Sequence, residues 1–406
     1  MAGPLSNIKV LDLSRVLAGP WSTQLLSDLG ADVIKVERPE FGDDTRAWGP
    51  PFLKRDDGTS SKESAYFISA NRGKRSITVN ISSVEGQQII RDLVKNADVF
   101  IENYKAGDMQ RYGLDFSALS KINPGLVYCS ITGFGQTGPY RNRAGYDFVI
   151  QAMGGLMSVT GESDEKGGGP QKCGVPISDL MTGMYASVAI VSALYERTTS
   201  HQGQYIDMSL LDTQVAWLAN QASNYLVSGD TPKRWGNAHP NLVPYQSFAA
   251  SDGELILAVG NDRQYQALCH TLNADHLIDD ERYATNSGRL KNRASLVDAL
   301  ATIFSKRTMS EWMLALENAG VPCGPVQSIP EALDDEHVRA RGMILSLKHT
   351  CGASVPLIAN PIKFSRSQID YDRAPPMLGE HTAEVLKSEL GWTESDVLAS
   401  KQRGII

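Results

Sequence analysis

Apolar and polar positions along the first two hundred residues switch between two periods. Ile8-Lys-Val-Leu-Asp-Leu13 reads as a buried strand, the turn Arg15-Val-Leu-Ala-Gly-Pro20 places Pro20 as a first helical residue, and a helix over 21–29 stops at Gly30. Asp32-Val-Ile-Lys-Val-Glu37 is the next strand. Strand, crossover helix and strand make a βαβ unit, right-handed and built into a parallel sheet. The pattern continues with a strand over 76–80, a helix over 84–96, and strands over 98–103 and 126–132. That alternation predicts an α/β chain with a doubly wound, Rossmann-like large domain.

The stretch Gly174-Val-Pro-Ile-Ser-Asp179-Leu-Met-Thr-Gly183 organises the rest. Pro176 and Ser178 mark a helix start, Leu180, Met184, Val188, Val191 and Tyr195 continue it at helical spacing, and the polar run Thr198 to Gln204 ends it. Asp179 then lies in the first turn of a helix expected to be buried. It has two readings. As a cap, Asp179 or Ser178 accepts bonds from unpaired backbone N–H groups. As a nucleophile, the carboxylate is held ionised by the helix end while apolar walls raise its pKa. The helix end contributes about 0.3–1 kcal/mol, which modest desolvation cancels, so a carboxylate starting near ~3.9 is expected to stay charged at neutral pH.

Beyond residue 215 the pattern changes. Thr231 to Pro240 is irregular, Phe248, Ser251-Asp-Gly253 and a strand over 254–260 suggest a hairpin, and helices follow over 265–272, 295–306 and 310–319. This predicts a smaller α+β domain over residues 216–335, with connecting segments. Residues 1–215 form the N-terminal part of the large domain, and residues 336–406 return to it through an edge strand over 354–358, limited by Pro356, and a helix over 382–390.

The chain has 406 residues, 42% of them hydrophobic, enough for an ample core in two or three domains. Its net charge of −7 speaks against wholesale attraction to nucleic acid or a membrane surface, so an anionic ligand must meet a local basic cluster. Arg38 sits at the carboxyl end of the second strand, where open α/β sheets bind ligands, and Arg46, Arg72, Lys74 and Arg75 follow within a few dozen residues. Tyr104, Lys105 and Arg111 follow the 98–103 strand in the same way. Each cation is either part of a solvated face or part of an anion site, and their clustering at strand ends favours the second.

Five dispersed cysteines without C-x-x-C spacing suggest reduced thiols, no metal framework and a cytoplasmic compartment. The strand at Ile8 leaves no room for a signal peptide's apolar core, and no apolar run approaches the ~18–20 residues of a membrane span. A mitochondrial matrix location stays open if a transit peptide was removed. Gly133-Phe-Gly-Gln-Thr-Gly138 matches G-x-G-x-x-G after a strand, yet Pro139 and Tyr140-Arg-Asn-Arg-Ala-Gly145 follow where a dinucleotide site needs a helix. A ligand-facing loop fits better.

Taken together, Val10 to Pro20, Gly30 to Glu37, Asn71 to Ser76, Glu102-Asn103, Gly133 to Pro139, Arg143-Ala-Gly-Tyr-Asp147 and Asp179 resemble the class III coenzyme A transferases, essentially end to end. Lys233-Arg-Trp-Gly-Asn-Ala-His239 and Val243-Pro-Tyr-Gln246 look most like the branch acting on succinyl-CoA and glutarate or hydroxymethylglutarate. The resemblance implies that Asp179 is the catalytic aspartate. It puts Leu17, Ala18, Arg38, Lys74, Asn103, Tyr104, Lys105, Arg111, Arg143, Ala144, Gly145 and Tyr146 on the coenzyme A path. It also implies an interlocked homodimer and no tightly bound cofactor, coenzyme A thioester being a co-substrate.

Arg46, Arg72, Arg75, Arg234 and His239 form the pool for gripping a dicarboxylate's free end, beside Trp235 and Gly236. Trp235 and Tyr146 are candidate walls against water. Oxyanion donors are sought in the N–H groups of Gly133–Gly138 or around Gly236. Formate-specific relatives carry a glycine run where this chain has Trp235-Gly236-Asn237 and His239, which favours a larger dicarboxylate such as glutarate, hydroxymethylglutarate or itaconate. The rival reading is a 2-methylacyl-CoA racemase. That branch has a histidine where Tyr146 stands, and tyrosine, with a pKa near ~10, is a poor base at neutral pH.

Overall fold

The structure is a computed structural model and describes residues 3–369 and 371–406. It divides into a larger unit, made of residues up to Leu156, Cys173–Ala222 and Glu336–Ile406, and a smaller unit, Met157–Lys172 with Ser223–Asp335. The sequence reading keeps residues 157–172 in the large domain, although the chain turns polar and glycine-rich over Gly161-Glu-Ser-Asp-Glu-Lys-Gly-Gly-Gly169.

Among the described residues, the larger unit holds a six-stranded sheet: β1 (Lys9–Asp12), β2 (Asp32–Glu37), β3 (Arg75–Thr78), β4 (Val99–Glu102), β5 (Val127–Thr132) and β6 (Tyr205–Ser209). Its order is β3-β2-β1-β4-β5-β6 and every pairing is parallel. The sixth strand went unassigned in the sequence because it is an edge strand whose residues are mostly half-exposed.

Successive residues of each strand point to opposite faces, and here they feed two cores. Val10, Val33, Val99, Val127 and Cys129 pack with Leu26 of α1 (Ala18–Asp28). Leu11, Ile34, Ile77, Phe100 and Tyr128 pack with Ile89, Ile90 and Leu93 of α2 (Val84–Val94) on the other side. The chain order reverses between β1 and β4, so the ends of those strands open a crevice of the kind that binds ligands. Helix α1 starts at Ala18, two residues before the expected Pro20.

Two further helices frame that crevice, α3 (Asp147–Met153) and α4 (Ile177–Ser200). The face of α4 that packs inward corrects the sequence reading. Its buried residues are Ser178, Thr182, Gly183, Ala186, Ser187, Ile190, Ala193 and Leu194, a mostly small set that lets α4 lie close on α1. A Cβ at Gly183 would stand 2.6 Å from the Ala18 carbonyl oxygen, and the Ser22 and Ser187 hydroxyls meet at 3.0 Å. The periodic apolar residues expected in the core face outward instead: Val188 is 61% and Tyr195 79% exposed.

At 24 residues with a mean hydropathy of 1.4 over its most apolar window, α4 is long and apolar enough to cross a membrane, contrary to the sequence expectation. Its small-residue face is nevertheless packed on α1 within the unit. Helix α5 (Thr382–Leu390) adds Val385 and Leu386 to the second core.

The smaller unit carries a three-stranded antiparallel sheet, Cys323–Pro325, Glu254–Ala258 and Tyr245–Ala249, with helices Asp262–Thr271, Arg293–Phe304 and Met309–Asn318. Its core centres on Phe248, Leu255, Leu257, Phe304 and Trp312, the indole N–H of Trp312 donating to the Phe304 carbonyl at 2.8 Å.

Candidate active site

Asp179 occupies the first turn of α4, and the helix end is not capped in the expected way. The Ser178 hydroxyl donates to Gln214 Oε1 at 2.6 Å. It is the Asp147 carboxylate, at the start of α3, that accepts from the backbone N–H of Ser178 (2.8 Å) and of Asp179 (3.3 Å). Gln151 holds Asp147 in place through a 2.6 Å bond to its second oxygen. Asp147 therefore absorbs the positive end of the helix and adds a negative charge beside Asp179. Burial, and then the charge of Asp147, push Asp179 up to about 7, so the balance anticipated from the sequence, a carboxylate kept low by the helix end, does not hold.

Asp179 opens into a cleft of about 310 Å³. Leu17 and Ala18 from the start of α1, Asn103, Tyr104 and Lys105 after β4, and Arg143, Ala144, Gly145 and Tyr146 line the same cleft. Two loops cross tightly at one wall: a Cβ on Gly133 would lie 2.6 Å from the Gly145 Cα, so glycine at both positions lets the Arg143–Tyr146 loop rest on the end of β5. Tyr146 is 64% exposed at the rim. Arg38 lines a neighbouring cavity of about 200 Å³ and stacks over Phe41. Arg111 stands outside both cavities, paired with Asp108, which does line the cleft.

Several residues read as ligand contacts are consumed by internal partners. Lys74 is fully buried, its ammonium donating to Asp12, Asn71 and the Pro20 carbonyl. Arg46 forks onto Glu37, pairs with Glu63 and lies over the Phe67 ring. Arg72 grips buried Asp28 through two bonds of 2.8 and 2.6 Å, and Arg75 pairs with Asp32. In the smaller unit Arg234 is held by Asp164 and the Glu162 carbonyl.

His239 in the same unit accepts the Asn241 N–H and meets the Tyr245 ring at a tilt, with centroids 5.1 Å apart; burial and Arg293 lower its pKa, which makes it a poor cation. Trp235 lies under the Arg293 guanidinium. The Gly236 N–H bonds to Gly161, and the Gly135 and Gln136 N–H groups bond to Thr132 and Asp207, so these three are not oxyanion donors in this arrangement. No group of acidic, histidine and cysteine side chains able to hold a metal occurs among the described residues.

A model of CoA-transferase family III matches residues 5–382. The chain belongs to that family. It is 50% identical over 383 residues to succinate–glutarate CoA-transferase of Agrobacterium fabrum, covering 94% of this chain and 95% of that one. It is 41% identical over 403 residues to succinyl-CoA:glutarate CoA-transferase of Homo sapiens, covering 99% and 90%. The crystal structure of a CAIB/BAIF family protein from Brucella suis superposes with a TM-score of 0.84 at 48% identity, covering 96% of this chain and all of that one.

This family III chain also brings to the site residues that the sequence reading passed over. Arg15 and Asp44 line the Asp179 cleft. Tyr66, in edge contact with Trp48 at 5.1 Å, has its phenol pushed up to about 12 by burial and then by the charges of Asp179 and Asp147. Asp147 shows in the sequence only as the last residue of the Arg143-Ala-Gly-Tyr-Asp147 motif. Spacing alone gives no signal for any of them, since each meets its partner from a distant stretch of chain, Asp147 at Ser178, Arg15 at Asp44 and Tyr66 at Trp48.

Proposed function

We propose that this family III CoA-transferase moves coenzyme A between succinyl-CoA and a dicarboxylic acid of the glutarate class, with Asp179 as the covalent carrier. The observation that carries the reading is Asp179 at the wall of a cleft whose other walls are the coenzyme-path residues. The names of the relatives supply the substrates.

A carboxylate oxygen of Asp179 attacks the thioester carbon, and collapse of the tetrahedral oxyanion breaks the C–S bond, giving a succinyl-aspartyl anhydride and coenzyme A thiolate. The thiolate attacks the aspartyl carbonyl and releases succinate, leaving the coenzyme on Asp179 as a thioester. The acceptor carboxylate then attacks that thioester, and the thiolate released takes the new acyl group, restoring the Asp179 carboxylate. No net proton is consumed. The raised pKa makes the carboxylate a better nucleophile than an ordinary aspartate, and the cleft keeps the reacting groups in place.

Incubation with succinyl-CoA and labelled glutarate is expected to yield labelled glutaryl-CoA; free coenzyme A alone, from hydrolysis, would sink the reading. Because Asp179 must be ionised to attack, kcat/KM should rise through pH of about 7 and then level. In Asp147→Asn, which keeps an oxygen for the Ser178 N–H but loses the neighbouring charge, the acid limb should move to lower pH with the plateau retained. An unmoved limb would mean that Asp147 does not set the ionisation.

The strand order and the two cores support reading the larger unit as doubly wound and Rossmann-like. The outward row Met184, Val188, Val191 and Tyr195 on α4 supports a homodimer, of the interlocked kind that the resemblance implies, since a contiguous apolar face marks an interface. Light scattering should give twice the chain mass, and Val188→Glu should lower it towards one chain; a monomeric parent protein would end this proposal. We place the enzyme in the cytoplasm.

A further inference from the structure

We propose that Arg15 is a coenzyme-binding residue, an exchangeable guanidinium that releases Asp44 to receive the phosphate oxygens of coenzyme A. The proposal rests on the coenzyme A-transfer reading and adds a residue to it. Arg15 comes just beyond β1, after Leu13 and Ser14, and Asn103 and Tyr104 follow β4, so the three stand at the reversal in strand order. The turn is held on both sides. The Asn103 side-chain amide accepts from the Arg15 N–H at 2.9 Å and donates to the Arg15 carbonyl at 2.7 Å. The next residue, Val16, sits at a φ of 69°, a conformation that a branched side chain resists, and its N–H is fixed by Asp43, itself locked to buried Lys35. Strain of this kind persists where the surroundings over-determine the backbone.

On that rigid base the guanidinium is under-used. Nη1 pairs with Asp44 at 2.8 Å, both side chains being more than two-fifths exposed, so the ion pair is of the weak, solvent-screened kind. Nε is buried without a hydrogen-bond partner, and the group lies 5.5 Å over the Tyr104 ring. Arg15 lines both the Asp179 cleft and its neighbour, with Tyr104 beside it in each. A fork of planar donors matches phosphate. Arg15 reaches from the Asp179 cleft into the neighbouring cavity that Arg38 lines, which suits a part of the substrate away from the reacting carbonyl. In an acyl-CoA that part carries the phosphates.

The test uses the full chain with coenzyme A as the titrant in calorimetry, and compares succinyl-CoA with succinyl-pantetheine, which lacks phosphates, in turnover. Arg15→Ala should weaken coenzyme A by about 10-fold or more and leave succinyl-pantetheine turnover within twofold of the parent. Asp44→Asn, which frees the guanidinium, should tighten coenzyme A several-fold. The proposal is overturned by unchanged coenzyme A affinity in Arg15→Ala, by equal loss with both thioesters, or by an effect confined to the KM of the acceptor acid. Should Arg15→Ala not fold, unchanged or weaker binding in Asp44→Asn overturns it alone. A parent protein that binds coenzyme A without transferring it would refute the transfer reading and leave this one standing.

Discussion

Asp179→Asn is expected to lower coenzyme A transfer by at least ~10³-fold while making the protein more stable at pH 8, the two effects sharing one cause. In the proposed mechanism the carboxylate is the group that takes first the acyl group and then the coenzyme, and asparagine offers neither the charge nor a second exchangeable oxygen. Its stability effect follows from the raised pKa. In the unfolded chain Asp179 ionises near 3.8, in the folded protein near 7, so folding opposes ionisation between those values. The cost is absent below pH of about 3.8, grows as pH rises, and is complete above about 7.

Removing the charge therefore leaves stability at pH 4 unchanged and raises the unfolding midpoint by a few degrees at pH 8. Thermal unfolding of both proteins at the two values, beside turnover, checks the pairing. With ¹⁸O-labelled acceptor carboxylate, the peptide containing Asp179 should gain mass in the parent enzyme. Full activity in Asp179→Asn would remove the covalent carrier, and an identical midpoint shift at both pH values would show that charge is not the origin of the strain.

What the sequence shows of this molecule depends on how far apart the interacting groups lie along the chain. Strands β1 to β5 and helix α5 are legible because alternation and helical period are local properties. Asp179 stands out in the sequence because the pieces around it resemble a family, and it is the family that the match over residues 5–382 bears out. The direction of α4 is not. Its apolar row Met184, Val188, Val191 and Tyr195 obeys the same period as its small-residue row, and only the close approach of Gly183 to Ala18 decides which one faces the sheet.

Cationic residues fail for a related reason. A sequence gives the charge of Lys74 or Arg46 without the Asp12 or Glu37 that cancels it, so every buried ion pair looks like a free cation. Arg15 escaped notice for the opposite reason: it lies in a turn read for its Gly19 and Pro20, and its pairing with Asp44 is the weak one.

Arg72 gives the sharpest distinction between those two kinds of cation. Its guanidinium is nearly sealed, forks onto Asp28, which is 1% exposed, and donates again to the Ile358 carbonyl at 2.8 Å. Asn360 supplies one further bond to Asp28 at 2.9 Å, too little to hold a buried carboxylate alone. Arg72→Met keeps much of the volume but strands that charge, and removal of one partner of a buried pair costs about 3–5 kcal/mol. The expected result is a large drop in the denaturant midpoint, with KM for succinyl-CoA and for the acceptor acid within twofold of the parent in the protein that remains folded. Adding Asp28→Asn should restore part of the loss, because the stranded group is then neutral. A substrate-gripping arginine would give the reverse: a raised KM for one substrate, an unchanged midpoint, and no rescue from the second substitution.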